Sequence, residues 1–308
     1  MTLFLRSIKY LVSILLLGCL VNTAAVGKDK KLVLIAGKPS HPPMMHEFRA
    51  GALLLEKCLQ DVKGLKVEVH DNGWVKDEAT FDDADAVVIF ADGGKKHPAL
   101  QGNNLKTLQK LIDRGVGFGA MHYGVEVPPG EANEEFQAWI GGHYENSFSC
   151  NPIWAPRFDT LPEHPVTQGV LPFSISDEWY FNIRFFGGIS GNQAHQEQGI
   201  KFTPILVAKP SNDVRDGPYV HPKGPYDHII ANSGRDEAML WVVERPDGGR
   251  GFGFTGGHYH LNWADENFRK VVLNTLNWVS KNKIPKNGIR SKVTKEELYL
   301  NLDKKDPR

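Results

Sequence analysis

The chain has 308 residues, 41% hydrophobic and 23% charged, with 36 Lys and Arg against 36 Asp and Glu. That is ordinary globular composition, long enough for one large domain or two small ones. A formal charge of zero, with no Lys/Arg-rich run, removes the electrostatic basis for nucleic-acid binding, so no nucleic-acid partner is expected.

Arg6 and Lys9 lead into an apolar run from Tyr10 to Val21, followed by the small residues Thr23, Ala24 and Ala25. This is the layout of a secretory signal, and it predicts a signal peptide over residues 1–25 and an exported, periplasmic or extracellular protein. The run is too short for a comfortable membrane span, so none is expected. Leu16-Leu-Gly-Cys19 is like a bacterial lipoprotein box, although Leu17 is not the small residue usual before the Gly; a lipid anchor at Cys19 is the alternative form of export. Cys58 and Cys150 would remain after cleavage. They could pair in an oxidising compartment, but Cys58 lies among Leu53, Leu54, Leu55 and Leu59 and reads better as a small buried residue.

From Lys31 the pattern alternates strand and helix. Leu32-Val-Leu-Ile-Ala36 is a fully apolar run, as in buried parallel strands. Residues 46–60 recur at helical spacing, 65–69 alternate, and 85–90 are again apolar. Leu105 to Ile112 is amphipathic, with Gly115 placed to end it, and a strand to Met121 follows. Residues 123–235 carry many Pro, Gly and aromatic residues. Strands are expected there at Trp179–Phe185 and Pro204–Ala208, with Met239–Val243 just beyond, and Asn212–Asp227 reads as a surface excursion. The last strand, Arg250-Gly-Phe-Gly-Phe-Thr-Gly-Gly257, is followed by a helix from Asn267 to Asn282 and by polar residues expected to trail over the surface or fray. Short strands separated by such helices predict an α/β, doubly wound, mainly parallel sheet.

In such sheets ligands bind beyond the carboxyl ends of the strands. The Gly115 strand ends on His122, and the last strand empties into His258-Tyr-His260-Leu-Asn262. Imidazole is both a metal ligand and an acid/base near neutrality. His41, His46 and His143 join the candidates, with Glu47, Asp177 and Glu178 as carboxylates. Adjacent strand residues point to opposite faces, so Glu178 with Tyr180 is a better functional pair than Glu178 with Asp177. Gly251-Phe-Gly-Phe-Thr-Gly256 fits G-x-G-x-x-G but lies inside an apolar strand, where the glycines serve close backbone approach rather than a dinucleotide. No Walker-type loop or G-x-S-x-G occurs, and no Cys stands at the elbow after the Gly115 strand.

Gly119-Ala-Met-His122, Trp139-Ile-Gly-Gly-His143-Tyr144, His164-Pro-Val-Thr-Gln-Gly169, Asp177-Glu-Trp-Tyr180, and Gly249-Arg-Gly-Phe252 through Gly257-His258 to Asn267-Phe-Arg269 occur in that order. Together they resemble the ThuA-like, trehalose-utilisation family, whose fold is similar to class I glutamine amidotransferases, over about residues 31–283. The resemblance implies a flavodoxin-like core in which His122 stands where an amidotransferase carries its nucleophilic Cys. Amidotransferase activity is therefore not expected. It also implies a link to sugar catabolism, in some members beside oxidoreductases that make 3-keto sugars.

The expected function is an exported carbohydrate-catabolism enzyme acting on a sugar or keto-sugar glycoside by acid/base chemistry, with a small-molecule carbohydrate as partner. His122, Glu178 and His258 are the expected catalytic residues. His41, His46, Glu47, His143, Tyr180, His260 and Asn262 would line the substrate site. A divalent metal, if one is used, would bind through His122, His258 and His260 or His143; a hydrogen-bonded pair of histidines acting as metal-free acid and base explains the same residues. The alternative is a non-catalytic carbohydrate-binding protein using the same pocket.

Overall fold

The computed structural model describes residues 28–186 and 199–306. The expected signal segment, Cys19 and His195 lie outside the described residues. Strand β1 (Lys30–Ala36) shows why the sheet must be covered on both sides. Leu32, Leu34 and Ala36 enter one hydrophobic core and Val33 and Ile35 the other, all fully buried. With period-two side chains, a strand buried on both faces reads as a continuous apolar run.

The remaining strands of that sheet are β2 (Leu65–His70), β3 (Ala86–Phe90), β4 (Gly117–Met121), β5 (Lys201–Ala208), β6 (Glu237–Glu244) and β7 (Arg250–Phe254). Their order across the sheet is β5-β6-β7-β4-β3-β1-β2. Strands β2, β1, β3, β4 and β7 run parallel, whereas β6 pairs antiparallel with both β7 and β5. Helices α1 (Phe48–Leu59) and α4 (Glu266–Val279) pack on one face. Helices α2 (Asn104–Asp113) and α3 (Asn133–Ile140) pack on the other. The doubly wound α/β arrangement follows.

Local chemistry sets the ends of these elements. Asp265 caps α4 by accepting from the Phe268 amide at 2.8 Å. Gly115, at φ 75°, ends the turn after α2 in the left-handed region, which a side chain would disfavour. In β7 a Cβ at Gly251 would lie 2.0 Å from the Trp139 carbonyl oxygen at the end of α3. The glycine is there for backbone contact, not for phosphate.

Two expectations change, and a third gains detail. Trp179–Phe185 is not one strand: Asp177–Glu178 and Arg184–Phe185 each pair in a two-residue ladder, and Phe181 makes a single bridge to Cys150. Trp179, Tyr180, Phe181, Asn182 and Ile183 are all buried without alternation, and Asn182 turns the chain at φ 56°. Asn212–Asp227 lies mostly at the surface, as expected, and two of its residues anchor it. Arg215 and Tyr219 are buried within it, and the Arg215 guanidinium donates to Glu237 at 3.0 Å. Nor does the C-terminal segment fray. Ile284, Ile289 and Leu298 enter the α1/α4 core, and Lys305 reaches back to Glu47 at 3.1 Å. Its apolar residues are too sparse to show a period, yet these three are buried, while Tyr299 and Leu300 stay exposed. Among the described residues no helix is long and apolar enough to cross a membrane. Cys58 and Cys150 are both buried and free.

Candidate active site

Four loops leave the carboxyl ends of parallel strands at one edge of the sheet. The loop after β1 carries His41 and His46, the turn after β3 carries Asp92, β4 runs straight into His122, and β7 leads to His258. The backbone here is held in unusual conformations: His41, Met44, His46 and His122 have φ of 60°, 67°, 47° and 52°. Non-glycine residues in this region cost energy, and such strain clusters where geometry serves function. Cross-links fix the loops: the His46 amide donates to the His258 carbonyl at 3.0 Å, and the His260 amide to the Met44 carbonyl at 2.9 Å.

The partners of the rings assign their protons. His122 Nδ1 lies 3.0 Å from the Thr255 carbonyl oxygen, which can only accept, so Nδ1 carries the hydrogen. His46 Nδ1 lies 2.9 Å from a carboxylate oxygen of Asp92, so it too is the donor. In a neutral imidazole each Nε2 is then a bare lone pair. Burial holds both rings well below the ordinary imidazole pKa, with neighbouring histidines adding to the effect, so both are neutral near pH 7.

Those two lone pairs face each other at 3.0 Å. His258 Nδ1 lies 3.0 Å from His46 Nε2 and 2.8 Å from Glu178 Oε2, which is 3.5 Å from His122 Nε2. Three imidazole nitrogens and a carboxylate oxygen thus lie within 4.8 Å of one another, all on buried residues. Ligands about 2.0–2.1 Å from a tetrahedral ion would stand roughly 3.3 Å apart, and the observed separations bracket that spacing. The outer contacts fit as well: metal-binding imidazoles commonly donate their second N–H to a carboxylate or a backbone carbonyl, as these two do.

Glu178 is itself positioned. Asn151 Nδ2 donates to its Oε1 at 2.9 Å, and burial pushes its carboxyl above the usual range. Asp177 is fully buried and faces the other way. It accepts from the amides of Gly257 at 2.8 Å, His258 at 3.1 Å and Glu178 at 2.8 Å, tying the His258 loop to the Glu178 segment. Gly257, at φ 107°, permits the turn that presents those amides. Tyr180 places its hydroxyl 3.2 Å from His122 Nε2, and His41 stacks on His46 with ring centroids 3.5 Å apart at the open side of the group.

The structure therefore brings together His41, His46, His122, Glu178, Tyr180 and His258. It does not bring in the other four. A 3-10 turn begins at His260, so its side chain departs from that of His258 and lies toward Glu47 and Leu298; the set of converging atoms has His46 where His260 was expected. Glu47 accepts from the Met44 and Asp303 amides and from Lys305. His143 meets Asn133 at 2.9 Å, and burial lowers its pKa to about 4. Asn262 donates to the Ser176 carbonyl at 2.9 Å. Asp92, Asn151 and Asp177 as supporting groups are additions. Asp92 stands two residues past the end of β3, the same strand-end signal that singled out His122; nothing in the local sequence marks Asn151.

The family model ThuA, described as trehalose utilisation, matches residues 33–279. Among solved structures, a ThuA-like protein of Bacteroides uniformis superposes with a TM-score of 0.57 at 15% identity, covering 85% of this chain and 95% of its own. A ThuA-like protein of Parabacteroides merdae gives 0.51 at 18% identity, covering 87% and 94%. At these identities the likeness speaks for the fold. No curated protein matches the chain.

Proposed function

The chain belongs to the ThuA family of trehalose utilisation, and from that premise we propose that it is an exported, metal-assisted enzyme acting on a keto-sugar glycoside. The observation that carries this reading is the convergence of three imidazole nitrogens and one carboxylate oxygen with no proton assigned between His46 and His122. A divalent cation would satisfy those lone pairs, and His46, His122 and His258 would hold it. Three protein ligands with an open position is the pattern of catalytic rather than structural sites.

A cation there would polarise a substrate carbonyl and make the neighbouring C–H more acidic. Glu178 takes that proton. Its raised pKa makes it a stronger base than an exposed carboxylate, and Asn151 holds the oxygen that does not face the imidazoles. Tyr180 donates toward His122 Nε2 or, when that lone pair is engaged, toward substrate oxygen. No thiol stands at His122, so glutamine hydrolysis is not part of this reading. The N-terminal pattern of residues 6–25 supports export.

Purified protein, loaded with zinc or manganese, is incubated with 3-keto-trehalose and related keto-glycosides in D2O. Exchange of the C–H beside the carbonyl, together with product formation, supports the proposal. Tight binding without exchange or products would replace it with a carbohydrate-binding role. N-terminal sequencing of cell fractions tests export: an intact Met1 on cytoplasmic protein overturns it.

A further inference from the structure

One buried carboxyl beside this site has no task in the scheme above. Glu126 is 8% exposed. Its main chain is pinned on three sides: its amide donates to the Tyr123 carbonyl at 3.0 Å, its carbonyl accepts from Gly94 at 3.1 Å, and it bridges to Tyr144. Its side chain lies against the glycine pair after β3. A Cβ built on Gly94 would be 3.4 Å from Glu126 Oε1 and 3.7 Å from the Tyr123 hydroxyl, so the two groups face the same space. Among the described residues no side-chain or backbone donor hydrogen-bonds to this carboxyl, and no Lys, Arg or His nitrogen lies within 4.0 Å of it. A carboxylate so placed would carry its charge in a mostly buried setting with no protein partner, which favours holding the proton.

The groups around it are acidic or neutral: Glu178, Tyr123, Tyr144 and Tyr180 from the elements lining the pocket, with Asp92 beyond the glycine pair. Burial, and then the charge of Glu178, push the Glu126 carboxyl up to about 8. Tyr123, Tyr144 and Tyr180 each feel the charge of both carboxyl groups, which stand in different settings. Glu178 has imidazole and amide partners, and Glu126 has none. Carboxyls in contrasting environments are how a site keeps one base and one acid at the same pH.

We propose that Glu126 is the general acid of the site and protonates the departing glycosidic oxygen. This rests on the keto-glycoside reading. Glu178 takes the proton from the carbon between the carbonyl and the glycosidic carbon. The C–H electron pair forms the carbon–carbon double bond, the bond to the glycosidic oxygen breaks with its pair going to oxygen, and that oxygen takes the Glu126 proton. The step is an elimination, balanced without oxidant or reductant. The substrate class narrows to glycosides whose leaving group is a poorly acidic alcohol, such as another sugar, because only these need an acid.

The test compares wild type with Glu126→Gln and Glu126→Asp on two keto-glycosides, one with a sugar or alkyl leaving group and one with nitrophenol. Glu126→Gln should lose about 10²-fold or more on the alkyl glycoside and remain roughly unchanged on the nitrophenyl one, while Glu126→Asp recovers part of the loss. Wild-type turnover of the alkyl substrate should fall as pH rises through about 8, and Glu126→Gln should lose that limb. Equal effects on both substrates, or none on either, overturn the assignment. Exchange of the substrate C–H in D2O reads the Glu178 step and should survive in Glu126→Gln. Its absence in wild type sinks the parent reading instead. Infrared difference spectroscopy needs no substrate: a protonated-carboxyl band at neutral pH should vanish in Glu126→Gln, and a wild type without that band refutes the proposal by itself.

Discussion

A carboxylate oxygen of Asp92 stands 2.9 Å from Nδ1 of His46, and this contact leaves the Nε2 of the ring as the atom that faces His122 and His258. A ring free to choose its tautomer would spend part of its time presenting N–H to the site instead. Asp92→Ala should therefore weaken divalent-metal affinity about 10- to 100-fold, the size typical of lost outer contacts. Competition against a chromophoric chelator measures it. Affinity unchanged within about twofold would show that the carboxylate does not set the ring.

Metal removal should lower thermal stability, because an ion that binds only the folded state adds to it. At a free concentration about 1,000 times Kd the gain is ~4 kcal/mol. Calorimetry with and without chelator should show the loss in wild type and no chelator effect in His122→Ala or His258→Ala. Elemental analysis of protein purified without chelators should find the ion in wild type and not in either variant. A chelator-insensitive wild type would leave metal-free acid/base chemistry as the reading of these residues.

Acid lability should come in part from a histidine outside the site. His97 is fully buried; its Nδ1 accepts from the Ala99 amide at 3.0 Å and its Nε2 donates to the Gly124 carbonyl at 2.8 Å. Burial lowers its pKa to about 4. The unfolded chain takes up this proton near its ordinary pKa of about 6.5, whereas the folded protein does so only near 4. The stabilising effect is complete above the unfolded value and is lost as pH falls from about 6.5 to 4, at ~1 kcal/mol per unit. Urea unfolding at several pH values, for wild type and His97→Gln, should show a shallower acid slope in the variant. Parallel slopes would contradict it.

Lys305 and Glu47 form an ion pair with side chains 4% and 1% exposed. Lys305→Met leaves a buried carboxylate without its cation and should cost about 3 kcal/mol. The double variant Lys305→Met, Glu47→Gln should recover part of it, since the unpaired charge is gone. Denaturant midpoints settle the matter, and a loss in the double variant as large as in the single one would point to packing instead.

The sheet could be read from the chain because β1, β3 and β4 are apolar on both faces, a pattern that a buried parallel strand needs and a surface segment cannot use. His122 and His258 were legible for the same reason: each stands where such a strand stops. The sequence does not separate His260 from His258, since both follow the same apolar strand; the turn that begins at His260 does. The 179–183 segment misled in a similar way, since five consecutive buried residues look like strand until a positive φ at Asn182 interrupts them. Asn151 and Lys305 carry no local mark. Each gains its role only from a partner far along the chain.

Lys305 also donates to the carbonyl of His46, a contact between residues 259 positions apart. During synthesis at ~5–20 residues per second, the loop that presents His46 waits on the order of 10 to 50 s before the lysine that ties it down exists. For a chain that crosses a membrane unfolded, that order has a chemical meaning. If export is as proposed, the three imidazoles would come into register only after nearly the whole polypeptide had passed, and an ion captured there would come from the far compartment rather than from the metal pools of the cell interior.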